Sequence, residues 1–165
     1  MKNELAEKFR NLKIFLFDLD GVLTSNHTPF ENCIYRVERA AREFKKLGVL
    51  FGIVTARDED EYLAKLKLIT NCVVFSSSIN KVSLTQKYLS ENNIDYKNVF
   101  YIGDDILDIP LLRQSGVSCA PKNAKREVKR CVTFVSKTDN CDDLLDEIIN
   151  LYKRSKEAPG RATKY

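Results

Sequence analysis

Short, continuously apolar runs recur along this 165-residue chain, and between them lie stretches with helical periodicity. The runs fall at residues 13–19, 49–54, 72–75, 98–102, 117–119 and 131–135. Helical patterns occupy residues 36–47, 58–68, 81–91, 109–114, 123–130 and 142–152. In the first of these, Val37, Ala40, Ala41, Phe44 and Leu47 share one face, and Gly48 ends the helix. Strands buried on both faces read as unbroken apolar runs, which is the pattern of a parallel sheet rather than of a half-exposed antiparallel one. Strand–helix alternation therefore predicts an α/β fold, Rossmann-like, with a mostly parallel sheet and helices on both faces. The length suits one domain, residues 1–153. From 154 onward the chain is polar and aperiodic, and reads as a disordered basic tail.

Composition narrows the function classes. A hydrophobic content of 44% with 30% charged residues is ordinary for a soluble globular protein. The net charge of +4 is mild, and the basic residues gather at 122–130 and 153–164. No aromatic residues interleave with the first cluster as stacking platforms would, so nucleic acid is not an expected partner. Attraction of anionic substrates is the remaining functional use for such a cluster. The five cysteines are odd in number, form no Cys-x-x-Cys pair and suit a reducing compartment. No apolar run reaches membrane-spanning length, and the first residues do not read as a secretory leader. The expectation is a cytoplasmic protein with no membrane partner.

Chemistry-bearing residues cluster where the apolar runs end, the edge at which open α/β sheets keep their ligand sites. Phe17-Asp18-Leu19-Asp20-Gly21-Val22 places two carboxylates after the first run, although Asp-Gly is also ordinary turn chemistry. Thr55-Ala56-Arg57 follows the second run. A hydroxyl with adjoining amides suits a phosphate there, and Thr55 could equally cap the next helix. Lys81 opens a helix after the third run, where a cation opposes the helix dipole. Gly103-Asp104-Asp105-Ile106-Leu107-Asp108 follows the fourth run. Asp108 could cap the helix that carries Pro110. Asp104 and Asp105 have no such structural use, and a hard cation such as Mg²⁺ would relieve their repulsion.

In this order the four motifs resemble the haloacid dehalogenase superfamily of phosphohydrolases over nearly the whole chain to about Tyr152. The resemblance implies Mg²⁺ and a covalent aspartyl-phosphate. It makes Asp18 the nucleophile and Asp20 the general acid–base. Thr55, Ala56, Arg57 and Lys81 become the substrate- and phosphate-binding residues. Asp104 ligates the metal with Asp18 and the backbone carbonyl of Asp20, and Asp105 and Asp108 support that site. Within the superfamily the sequence is similar to the 3-deoxy-D-manno-octulosonate 8-phosphate phosphatases, sharing Gly103-Asp104-Asp105-Ile106-Leu107-Asp108-Ile109-Pro110 and Gly116-Val117-Ser118-Cys119-Ala120-Pro121. Three features depart from that group. Ala56 stands for a glycine, Arg36-Val37-Glu38-Arg39 for an Arg-Asp-Gly stretch, and residues 139–147 lack a glycine-rich motif. The implied substrate is a small phosphorylated sugar or sugar acid. The rivals are another phosphorylated metabolite or macromolecule, or a non-catalytic assembly module of the same fold.

Neither gap between the first three motifs can hold a cap domain. A lid must come from residues 23–34 or from another subunit, and the resemblance implies a homotetramer assembled through a protruding hairpin in that segment. Phe30 would be buried between chains, and His27 has no role beyond possible substrate contact.

Overall fold

Successive residues of the first strand point to opposite faces of the sheet, and neither face meets water. Phe15 and Phe17 enter one hydrophobic cluster while Ile14 and Leu16 enter another. That double burial explains the unbroken apolar run. The computed structural model describes residues 3–24 and 29–157. Six strands, β1 (Ile14–Asp18), β2 (Leu50–Val54), β3 (Cys72–Phe75), β4 (Val99–Ile102), β5 (Val117–Ala120) and β6 (Phe134–Val135), form one sheet in the order β3-β2-β1-β4-β5-β6. Every pairing is parallel. The α/β, Rossmann-like expectation is met.

One face packs an aromatic core of Phe9, Phe15, Phe17, Phe44, Phe51, Phe100 and Tyr152. It lies beneath α1 (Asn3–Arg10), α2 (Phe30–Lys46), α3 (Glu61–Lys67) and α7 (Cys141–Glu157). The rings of Phe15 and Phe44 stack at 4.7 Å, and Tyr152 meets Phe15 edge-on at 5.1 Å. The other face packs Ile14, Leu16, Tyr101, Leu89, Leu111 and Val128 under α4 (Lys81–Glu91), α5 (Ile109–Gln114) and α6 (Arg126–Lys129). Gly48 ends α2 at a φ of 73°. There the amides of Gly48 and Val49 bond back to the carbonyls of Lys45 and Phe44, the double closure that favours glycine.

Two expected boundaries move. Helix α2 starts at Phe30, six residues before the expected 36, because Cys33 is buried and continues the stripe of Val37, Ala40, Ala41 and Phe44. Residues 30–34 are therefore helical rather than half of a hairpin. His27 and the side chain of Phe30 lie outside what is described. At the other end, α7 continues past residue 154 to Glu157. Ser155 is buried, and its carbonyl accepts a hydrogen bond from Arg10 at 3.2 Å, so these residues dock instead of trailing. Residues 158–165 lie outside the description. Among the described residues no helix is long and apolar enough to cross a membrane.

In this strand order the direction of winding reverses between β1 and β4. The helices following the two strands then diverge, opening a crevice at the carboxyl ends. The segments leaving β1, β2, β3 and β4 meet there.

Candidate active site

Asp18 is the last residue of β1 and only 6% exposed. The amine of Lys81, at the start of α4 and 4% exposed, lies 2.8 Å from Asp18 Oδ1 and 2.5 Å from Asp108 Oδ1. Lys81 is therefore no surface lysine, and two carboxylates offset its unfavourable place at the start of a helix. Burial alone would discharge such an ammonium, but attraction from Asp18 and Asp108 outweighs it and holds Lys81 charged. Burial, and then the neighbouring Asp108, push the Asp18 carboxyl well above the usual carboxylate range, with Lys81 opposing.

Asp108 organises the site without meeting solvent. One of its oxygens accepts from Lys81 and, at 2.5 Å, from the Tyr101 hydroxyl. The other accepts the amides of Asp104 and Asp105, each at 3.0 Å. Four donors occupy its lone pairs, so Asp108 positions other groups and has no capacity left for a cation. Gly103 leaves the room this needs, since a Cβ there would sit 2.4 Å from Asp108 Cγ. Tyr101 was not foreseen as a site residue; the signal was a hydroxyl-bearing ring inside a buried strand, which calls for a partner.

Asp104 differs. Its Oδ1 is buried with no hydrogen-bond partner among the described residues, and burial, with Asp108 and Asp105 nearby, raises its carboxyl to about 6. One carboxylate oxygen from each of Asp18, Asp104 and Asp108 lies within 4.8 Å of the others. An orphaned buried oxygen in a pocket of hard oxygen donors fits a divalent cation. Gly21, at a φ of 85°, completes the pocket, because a Cβ there would come within 2.3 Å of Asp104 Oδ2.

The rim is wetter. Thr55 does not cap the following helix; Asp60 does, accepting from the Leu63 amide at 2.8 Å. Buried Thr55 instead accepts the Arg57 amide at 3.1 Å, which leaves its own proton to donate. Ala56 is half-buried between them. Asp20, whose side chain is 52% exposed, pairs with Arg57 at 2.7 Å. Arg57 also reaches Asp60 at 3.5 Å and lies over the Tyr62 ring at 5.2 Å. Glu59 ties this loop to the next by accepting from the Ser76 hydroxyl, and it pairs with Lys67.

Asp105 corrects an expectation. It has a structural use after all, capping the 3₁₀ turn Ile106–Asp108 and pairing with Lys125 at 2.6 Å. That lysine holds its carboxyl below the usual range. Its side chain stands outside the carboxylate cluster of Asp18, Asp104 and Asp108.

A parallel sheet of this order, with a lysine-bound aspartate at the end of its central strand, is the arrangement that the resemblance to the haloacid dehalogenase class implies. Residues 67–148 match the family of haloacid dehalogenase-like hydrolases. That match, with the phosphatases the chain resembles, supports a phosphatase of the haloacid dehalogenase kind. The matched part carries Lys81, Asp104, Asp105 and Asp108, whereas Asp18, Asp20 and Thr55 precede it. The chain is 27% identical over 135 residues to the 3-deoxy-D-manno-octulosonate 8-phosphate phosphatase of Escherichia coli (strain K12), covering 73% of this chain and 68% of that one. The enzyme of the same name from Haemophilus influenzae is 22% identical over 141 residues, covering 81% and 78%. The fold is shared with the Moraxella catarrhalis 3-deoxy-D-manno-octulosonate 8-phosphate phosphatase, solved with magnesium, phosphate and KDO. The TM-score is 0.75 at 16% identity, over 95% of this chain and 97% of that chain.

Proposed function

We propose that this phosphatase is a Mg²⁺-dependent phosphomonoesterase that cleaves a small phosphorylated sugar or sugar acid through an aspartyl-phosphate on Asp18. The observation that carries the reading is the buried Asp18–Lys81 pair beside the unpartnered oxygen of Asp104. Asp18, Asp104 and the Asp20 carbonyl would hold the cation, which when bound supplies positive charge against the phosphoryl oxygens.

The chain's own groups divide the remaining work. An Asp18 oxygen attacks phosphorus, and the ester P–O bond breaks while a P–O bond to Asp18 forms. Lys81 stabilises the charge gathering on the transferring oxygens, and its burial strengthens the effect. The Thr55 hydroxyl donates to one of those oxygens. Asp20 gives a proton to the departing alkoxide, then takes one from the water that releases phosphate and restores Asp18. Arg57 holds Asp20 on the rim and, being 38% exposed, is free to turn towards an anionic group of the substrate. Asp105 and Asp108 support the metal site from behind.

The magnesium, phosphate and KDO of the Moraxella catarrhalis structure support the cofactor and substrate class by likeness. Cytoplasmic localisation and a homotetramer belong to the same proposal. Ile79, Ile106 and Leu107, all close in sequence to site residues, are exposed in the single chain and suit cover by a neighbouring subunit. The test is phosphate release across sugar phosphates and sugar-acid phosphates, with and without chelator, alongside light scattering. Asp18→Asn should keep its fold and lose all turnover. Hydrolysis by that variant, or full activity in excess chelator, would overturn the mechanism.

A further inference from the structure

Strand β4 reads Val99-Phe100-Tyr101-Ile102, and one hydroxyl interrupts an otherwise apolar run. Tyr101 pairs across the sheet with Leu16 on one side and Ser118 on the other, and no part of it meets solvent. Its ring packs in the cluster of Ile14, Leu16, Leu89 and Leu111, where a phenylalanine would serve as well. A buried hydroxyl costs free energy unless a partner offsets it. Here the partner is Asp108 Oδ1, at 2.5 Å. Burial, and then the charges of Asp108 and Asp18, push the Tyr101 hydroxyl well above its usual range, so it remains a donor.

That same oxygen faces Lys81. The ammonium stands between Asp108 Oδ1, at 2.5 Å, and Asp18 Oδ1, at 2.8 Å. Two carboxylates thus compete for one cation, and each of the two oxygens has one further donor. On the Asp18 side it is the Leu19 amide, at 2.8 Å. On the Asp108 side it is the Tyr101 hydroxyl. A carboxylate oxygen has two lone-pair positions, so each of these donors leaves one for the ammonium. Without the hydroxyl both lone pairs of Asp108 Oδ1 would face Lys81. In so dry a setting that added attraction would draw the cation off Asp18.

We propose that Tyr101 is a positioning residue for phosphoryl transfer: by donating to Asp108 it tempers that carboxylate's hold on Lys81 and keeps the ammonium beside Asp18. The proposal rests on the phosphatase reading above and deepens it. Tyr101 touches no reacting atom and acts only through Asp108 and Lys81. Its effect falls on the transition state, when the ammonium must follow the transferring oxygens and Asp108 pulls it the other way.

The test is Tyr101→Phe in the full chain with Mg²⁺, which keeps the ring and its packing, with every value taken per folded molecule from urea unfolding. The substrate is p-nitrophenyl phosphate, whose leaving group needs little protonation, so Lys81 is read apart from Asp20. The kcat should fall about tenfold, the worth of a hydrogen bond to a charged group, with KM little changed. Vanadate, which imitates five-coordinate phosphorus, should bind weaker by the same factor, while Mg²⁺ affinity stays the same. A hydroxyl with a structural role alone would lower the urea midpoint and leave kcat and vanadate binding unmoved, which would overturn the proposal. Weakened Mg²⁺ binding would also overturn it, because Tyr101 would then act on the Asp104 loop. If the unaltered protein hydrolyses nothing, the phosphatase reading fails by itself and vanadate binding decides. Weaker binding by Tyr101→Phe then supports the positioning role. Equal binding, or none by the unaltered protein, overturns it.

Discussion

Asp18 and Asp20 leave the same strand two residues apart and enter different media. Asp18 lies on a buried floor with Lys81, Tyr101 and Asp108, where every charge is fixed by a short contact. Asp20 sits on an exposed rim, where Arg57 holds it through a pair open to water. On the floor, desolvation makes each missing partner costly, and the geometry is rigid. On the rim, screening weakens the pair, and the groups are free to move with a substrate. One strand end thus offers both a fixed carboxylate and a mobile one, the pair of properties that the proposed nucleophile and proton carrier require.

Lys81→Met should give the largest effect. Turnover should vanish, and stability should fall by about 3–5 kcal/mol, because Asp18 and Asp108 lose the cation that faces them. Phosphate release and urea unfolding measure both, and a loss below about 1 kcal/mol, the range of exposed pairs, would erase the distinction between floor and rim.

Asp20→Asn should separate the two further. Turnover of an alkyl phosphate should drop roughly 10²–10⁴-fold, while stability changes by no more than about 1 kcal/mol, the range of exposed ion pairs. Aryl phosphates, whose leaving groups need little protonation, should lose much less. Equal losses on alkyl and aryl esters, with chemistry limiting both, would remove Asp20 from proton transfer.

The smallest effect calibrates the rim against a pair remote from catalysis. Arg36 forks onto Asp142 at 3.1 and 3.0 Å, and this holds the Asp142 carboxyl below its ordinary 3.8. A carboxyl depressed on folding adds stability above its unfolded pKa and loses it as pH falls through the folded value. The pair should therefore contribute at pH 7 and fade below pH 3.8. Asp142 is half exposed, so the contribution should stay under about 1 kcal/mol. Urea midpoints at pH 7 and pH 3 for the unaltered chain and Asp142→Asn should converge at the lower pH. A gap that persists there would show that Asp142 acts through packing rather than charge.

The sheet was legible because strand burial writes itself as unbroken apolar runs, and the gathering of the candidate residues at one edge was legible because those runs stop there. Long-range partners were not legible. Nothing local to Lys81 says that it is buried, since the two carboxylates that hold it come from β1 and from beyond β4. Asp105 looked free to serve a cation for the same reason, its structural use being a contact with Lys125 two elements away. The start of α2 was missed because Pro29, Glu31 and Asn32 interrupt the apolar pattern that Cys33 resumes. The end of α7 was missed because Ser155 is polar, and its burial depends on α1.

Asp108 has a consequence for how the molecule matures. Its four donors come from α4, from β4 and from the turn that follows β4, and the lysine it shares reaches across to β1. These segments meet only when strands distant in sequence have paired in parallel, which is a late and slow event in folding. An intermediate with helices formed and the sheet incomplete would lack the Lys81 clamp altogether. Catalytic competence in this chain should arrive all at once, as the last sign that the sheet has closed.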